Sequence, residues 1–418
     1  MIQIMLTSIL GVGLVILGLL WFGRRRVLDA AVPVPPEPLP RVSILKPLKG
    51  RDENLAGNLE SAYRQDYPDF EVICAVRDEH DPAIAVVRAV ASRHPGVRTR
   101  LVVSAVEVGR NPKVNNLANA LEEARNDLLL ISDSNVRLPP DHLRHVVSLL
   151  IEPGVGLVSA PVTANGGSGV GGALESYHLN TFVLSGVAAT DRVLRLPCVM
   201  GKSMLLRREH LRAMGGFAFL GRFLAEDQVS GEEIRRMGLR TRLCPVPVAN
   251  VLGRLTFREF VGRHLRWARI RRRMCPAGYA GEILANPVFL AVLGALVAGS
   301  LPAVLAAAAL LFLSAGLGAR AERALGIRRP LLVYPALELA RSLATGLLHV
   351  VPFLSSRVTW RGNRFHLGPR TELGDVRTFS LFRTSPPLHG PDRLPRHPAA
   401  RGSVSPSPRR TVRESLPA

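Results

Sequence analysis

Five stretches of this 418-residue chain carry side chains suited to chemistry on an anionic, polar substrate. Asp133-Ser134-Asn135 follows the apolar run Leu128 to Ser132. On extended backbone, positions i and i+2 project to one side, so a carboxylate and an amide there can hold a divalent cation, Mg or Mn, with diphosphate oxygens completing its shell. The same residue types favour turns, and taken alone the turn is the commoner outcome. Asp78, just past the apolar run Phe70 to Val76, is placed to accept hydrogen bonds from a base or ribose, and a solvated loop explains it equally well. Lys113 opens a helix after Asn111-Pro112, where a cation and helix amides suit phosphate, although an ordinary cap is the simpler reading. Asp227, in Ala225-Glu226-Asp227-Gln228, is the candidate general base, because group transfer to a hydroxyl needs one side chain to take the proton. Acidity at a helix N-terminus accounts for the same pair and is compatible with that role.

The fifth stretch is Arg263-His264-Leu265-Arg266-Trp267, within a run of seven arginines from Arg258 to Arg273 that is interleaved with Phe257, Phe260 and Trp267. A basic amphipathic helix of this kind lies at a membrane surface, and anchoring accounts for most of its charge. Within it, Arg266 can stabilise a leaving diphosphate while Trp267 walls an acceptor pocket.

The elements that must position these groups are legible as a pattern. Val42 to Leu45, Phe70 to Val76, Leu101 to Val103 and Leu128 to Ser132 read as buried strands, and Leu55 to Tyr63, Pro82 to Arg93 and Asn115 to Arg125 as helices between them. This alternation predicts an α/β domain with a mostly parallel sheet and helices on both faces, whose ligands sit beyond the carboxyl ends of the strands. The Gly-rich Asn165 to Gly172 lacks the GxxxxGK[ST] pattern and is expected to be a mobile loop.

The ends of the chain are apolar, which explains a mean hydropathy of +0.17. Met5 to Phe22 is uncharged and closed by Arg24-Arg25-Arg26, so residues 1–26 are expected to be a transmembrane anchor whose following charge keeps the rest cytoplasmic. Five prolines between Ala31 and Pro40 make residues 27–40 a stiff linker. The catalytic domain is expected over residues 41–257, the basic interfacial segment over 258–285, and a C-terminal membrane region over 286–355. There Pro287 to Gly318 is broken at Gly299-Ser300 into a hairpin, and Leu331 to Leu354 carries Glu338, Arg341 and His349. Residues 356–418 read as a basic tail, disordered after Arg370. The number of C-terminal passes and the oligomeric state are left open.

A net charge of +21 favours anionic partners, and charge alone does not choose among them. Cys74, Cys198, Cys244 and Cys275 show neither CxxC nor Cys/His metal spacing, which argues against a zinc site or disulfide framework and fits a reducing cytoplasm.

Together, Ile44 to Gly50, Asp78 with Asp81 to Ile84, Asn111 to Leu117, Asp133-Ser134, Ala225-Glu226-Asp227, Arg263 to Trp267 and Trp360-Arg361 resemble the ceramide glucosyltransferase family. The resemblance runs from about Val42 to about Gly368 and implies a membrane-bound, inverting enzyme with a GT-A catalytic domain. By resemblance, Asp78 and Asp133 bind nucleotide-sugar and metal, Asp227 is the base, and Arg263, Arg266 and Trp267 match the (Q/R)xxRW motif. Asn135 stands where many related transferases carry a second metal-binding Asp. The implied partners are a UDP-sugar, a lipid acceptor and the membrane, with no nucleic acid. Alanine and arginine richness looks bacterial, which implies the inner membrane and brings a similarity to hopanoid-tail N-acetylglucosamine transferases. A processive polysaccharide synthase and a noncatalytic basic membrane-surface or nucleic-acid-binding protein are the competing readings.

Overall fold

A computed structural model of the chain describes residues 2–35, 37–193, 198–360, 362–375 and 411–416, with residues 2–9 as backbone only. After helix α1 (Ile2–Leu28), strands and helices alternate as the sequence pattern predicts: β1 (Val42–Pro47), α2 (Leu55–Tyr63), β2 (Phe70–Val76), α3 (Ala83–Ala91), β3 (Arg98–Val103), α4 (Pro112–Leu121) and β4 (Leu128–Ser132). These strands pair in parallel in the order β3-β2-β1-β4. Strands β1 and β4 are buried along their whole length, which is why they read as unbroken apolar runs: helices cover both faces. Ile44 and Val72 face a core built with Leu59, Val87 and Val146, and Leu45, Ile73 and Leu129 face a second core with Leu117, Phe217 and Ile234.

The chain continues through β5 (Val136–Arg137), α5 (His142–Leu150), β6 (Val155–Ser159), β7 (Val162–Ser168), α6 (Gly169–His178), a π-helical turn (Leu179–Val183) and α7 (Leu184–Arg192). Next come β8 (Ser203–Arg207), α8 (Arg208–Ala213), α9 (Gly216–Leu220), α10 (Glu226–Arg236), β9 (Arg240–Leu243), β10 (Val248–Arg254) and α11 (Phe257–Met274). The α/β architecture and the mostly parallel sheet stand: β3, β2, β1, β4, β6 and β9 share one direction, and β8 runs against both β4 and β6. The consequence is local: Ser203 at the start of β8 pairs with Ser132 at the end of β4, so the turn before β8 meets the residues after β4.

The Gly-rich stretch is a strand and a helix start rather than a mobile loop. Strand β7 pairs in parallel with β10, and a Cβ on Gly171 would collide with the backbone carbonyl of Thr256, so glycine is required by close approach of α6 to the start of α11. Thr256 caps α11 in a capping box with Glu259.

The C-terminal region holds α12 (Pro276–Gly281), α13 (Pro287–Ala298), α14 (Leu301–Ala324), α15 (Val333–Leu348) and α16 (Val351–Leu354). Helices α13 and α14 form the expected hairpin, with Gly299 left-handed at φ 57° between them. Leu301–Ala324 and Val333–Leu354 are long and apolar enough to cross a membrane, and Pro276–Ala285 with Pro287–Ala298 is a pair bent by 69°. Glu338 and Arg341 pair with each other at 2.5 Å inside the bundle, where Tyr177 and Ser314 also donate to Glu338 at 3.0 and 2.9 Å. Arg24 is likewise buried, donating to the carbonyls of Asn180 and Ala321 at 2.6 and 2.9 Å.

The region read as a tail contributes to the fold. Strands β11 (Arg357–Trp360), β12 (Asn363–Leu367) and β13 (Leu373–Gly374) form a small antiparallel sheet, and β14 (Val412–Leu416) pairs with the edge of β3. Local composition could not reveal the β14 pairing, since its partner strand lies about 300 positions away. Residues 376–410, which share the expectation of disorder, and Arg361 of the Trp360-Arg361 motif lie outside the described residues.

Candidate active site

Three elements converge at the carboxyl end of β4: the Asp133 turn itself, the Met200-Gly201-Lys202 turn ahead of β8, and the N-terminus of α10. Asp133 sits between two ammonium groups, with Lys113 Nζ 2.8 Å from Oδ1 and Lys202 Nζ 3.1 Å from Oδ2. Lys202 also donates to Asn135 Oδ1 at 2.7 Å. Ser134 and Asn135 form a turn, the alternative that the residue types favour, and Lys202 bridges the side chains of Asp133 and Asn135 across it. Buried Lys46 underlies the turn, donating to Ser132 Oγ at 3.0 Å and to the Asp133 carbonyl at 3.1 Å. Burial lowers its pKa to about 8. For Asp133 burial opposes ionisation, and the two ammonium groups outweigh it, holding the carboxyl well below its ordinary range.

Lys113, expected to meet a phosphate, is held by the protein itself. Its ammonium meets Asp133, Glu226 Oε1 at 2.8 Å and the Gly201 carbonyl at 3.1 Å, which uses all three of its N–H donors. The helix amides expected to meet phosphate beside it are also taken: Asn111 Oδ1 caps α4 by accepting from the backbone N–H groups of Lys113 and Val114. Asn111 Nδ2 reaches Glu226 Oε2 at 3.2 Å.

Asp227 lies next to this cluster on α10. The backbone N–H of Gly201 donates to its Oδ2 at 2.7 Å and that of Gln228 to its Oδ1 at 2.8 Å. Gly201 is fixed by proximity, since a Cβ there would stand 2.8 Å from Asp227 Oδ2. The residue is half-buried, and its carboxylate is packed closely among protein atoms. That burial, with the charge of Glu226 second, raises its pKa to about 6, against the pull of Lys113 and the two amides. A carboxylate so poised is deprotonated at neutral pH and more basic than an ordinary aspartate, as a general base requires.

The other predicted residues are distributed differently. Asp78 is exposed at the end of β2 and accepts the backbone N–H of His80 at 3.0 Å; none of its described contacts joins it to the Asp133 cluster. Its neighbour Asp81 is structural, accepting from the N–H of Gly50 with both oxygens. Arg263 and His264 both bind the fully buried Glu175 of α6, at 3.2 and 2.8 Å, so Arg263 first serves to tie α11 to α6. Its charge also acts on Lys202. Arg266 and Trp267 are partly buried one turn along α11, and Trp267 packs with Leu179, Ala164 and Leu252.

The oxygens expected to coordinate a divalent cation, both of Asp133 and that of Asn135, are each bound to an ammonium group. Each of these oxygens keeps a second lone pair, so Asp133 and Asn135 would hold such an ion beside, or in place of, those ammonium groups. Among the described residues, no group of three or more His, Cys, Asp or Glu side chains is arranged to hold one.

The profile of glycosyl transferase family 21 matches residues 4–373. The chain belongs to that family. Ceramide glucosyltransferase 1 of Caenorhabditis elegans is 31% identical over 246 residues, 58% of this chain and 52% of that protein. The ceramide glucosyltransferase of Komagataella phaffii is 29% identical over 309 residues, 60% of each chain. This family 21 chain thus aligns with little more than half the length of these curated relatives. A mannosyltransferase of Pyrobaculum calidifontis, solved with GDP-mannose and Mn2+, superposes with a TM-score of 0.49 at 21% identity, covering 84% of this chain and 99% of that one.

Sequence reasoning missed Lys202, Glu226 and Glu175 as members of this family 21 site and its support. Glu175 had a signal, as the lone acidic group in the otherwise uncharged stretch Gly169 to Tyr177. Lys202 had none, because its partners lie about 70 positions away and are reached only through the antiparallel pairing of β8.

Proposed function

We propose that the chain transfers a hexose from a UDP-sugar to a lipid hydroxyl with inversion. The observation that carries this is Asp227: a half-buried, proton-affine carboxylate fixed by two amides beside Lys113 and Lys202, in a family 21 chain. The acceptor hydroxyl oxygen attacks the anomeric carbon while Asp227 takes its proton. The bond from that carbon to the diphosphate breaks, its electron pair leaves with UDP, and an α-linked donor becomes a β-glycoside. Lys113 locks Asp133 and Glu226 in place, and Arg266 with Trp267 borders the cleft from α11. Asp78, at the end of β2, is assigned to the base or ribose.

The acceptor enters from a membrane in which the C-terminal helices and α1 are embedded, with the catalytic domain on the cytoplasmic face. The resemblance to ceramide glucosyltransferases and the two apolar helices support a lipid acceptor over a growing polymer. Mass spectrometry tests the whole reading: purified chain in detergent with Mn or Mg, UDP-glucose or UDP-N-acetylglucosamine, and ceramide or bacteriohopanetetrol. A hexosylated lipid is the expected product. An N-acetylhexosaminyl hopanoid would shift donor and acceptor within the same reaction class, and polymer, or no product with any pair, would overturn lipid glycosylation.

A further inference from the structure

We propose that Lys202 is the cation that receives the donor's diphosphate, in the place where the sequence leads one to expect a divalent ion. The proposal rests on the UDP-sugar reading above. Lys202 Nζ occupies the coordinating position of the Asp133 and Asn135 pair, at 3.1 and 2.7 Å, and its third N–H has no protein partner among the described residues. Lys113, by contrast, spends all three donors on the protein and has the less exposed side chain, 15% against 25% for Lys202. Of the two ammonium groups on Asp133, only Lys202 therefore has a donor to give.

Its surroundings call for an anion. Lys113 and Arg263 add positive charge around it, which a diphosphate arriving beside it offsets. The lysine sits at the carboxyl end of β4, on the turn whose Gly201 holds Asp227, so a diphosphate there brings the anomeric carbon toward the base. A fixed ammonium also neutralises the charge that develops on the leaving oxygen.

Isothermal titration of the full chain in detergent tests this, using UDP and uridine as ligands, in EDTA and separately in Mn2+. Wild-type protein should bind UDP comparably in both buffers. Lys202→Met should weaken UDP by about tenfold or more in EDTA and leave uridine unchanged, because uridine keeps base and ribose without phosphate. Lys202→Arg, which retains the charge, should recover most of the affinity and serves as the folding control. UDP binding that appears only with the metal overturns the proposal. So does a Met variant that loses uridine and UDP equally, which would make Lys202 a purely structural brace. Wild-type protein that binds neither ligand in either buffer would overturn the UDP-sugar reading itself, and this proposal with it.

Discussion

Asp227 is the residue whose chemistry is most sharply set by its neighbours. Replacing it by Asn should lower turnover by roughly two to four orders of magnitude without unfolding the protein, checked by glycolipid product formation beside a melting curve. The pH dependence has a definite sign. As the proposed base, Asp227 works deprotonated, and its pKa is raised to about 6, so turnover should fall as pH drops through about 6 and level off above it. Glu226 contributes to that rise, so Glu226→Gln should move the acid limb of the rate profile to lower pH; an unmoved or upward-shifted limb would rule out the assignment. Gly201→Ala places a methyl group 2.8 Å from Asp227 Oδ2 and should depress kcat more than KM. The carboxylates at Asp133 and Asp227 were legible from residue type and position after a strand or before a helix. Their partners were not, because a lysine preceding an apolar strand looks like any turn residue until the strand's direction is known.

At the level of elements, the segment after β12 braces the catalytic turn. Thr371 accepts the N–H of Leu224 with its carbonyl and that of Ala225 with its hydroxyl, both at 3.0 Å, and Arg370 pairs with Glu232 and Glu233 of α10 at 2.7 Å. Both residues hold positive φ, 51° and 65°, a conformation costly for a β-branched side chain and kept here by those contacts. Thr371→Val should cost about 1 kcal/mol of stability and lower kcat by loosening the start of α10, measured by thermal unfolding and single-substrate kinetics. In the C-terminal helix bundle, the Glu338–Arg341 pair is buried. Arg341→Met alone leaves a buried carboxylate unpaired and should destabilise by about 3 to 5 kcal/mol, whereas the Glu338→Leu, Arg341→Met double variant should recover much of that loss. Equal melting temperatures for the single variant and wild type would show that the pair contributes nothing.

For the whole molecule, β14 closes the sheet at β3, and Glu414 on it pairs with Arg88 of α3 at 2.7 Å. Removing residues 376–418 uncovers the edge of β3, so the truncated protein should aggregate faster in light scattering while its monomeric fraction keeps its turnover. The sequence by itself determined the strand and helix alternation, the apolar ends, the breaks at proline and glycine, and the carboxylates after β4 and before α10. Each of these is written locally, in hydrophobic period, turn residues and the position of a charge relative to an apolar run. Only the tertiary structure decided that β8 runs antiparallel and delivers Lys202 to Asp133, that Glu175 claims Arg263, and that the presumed tail supports Asp227. Those are pairings between residues far apart in the chain, and a one-dimensional pattern holds no record of which distant partner a charge will meet.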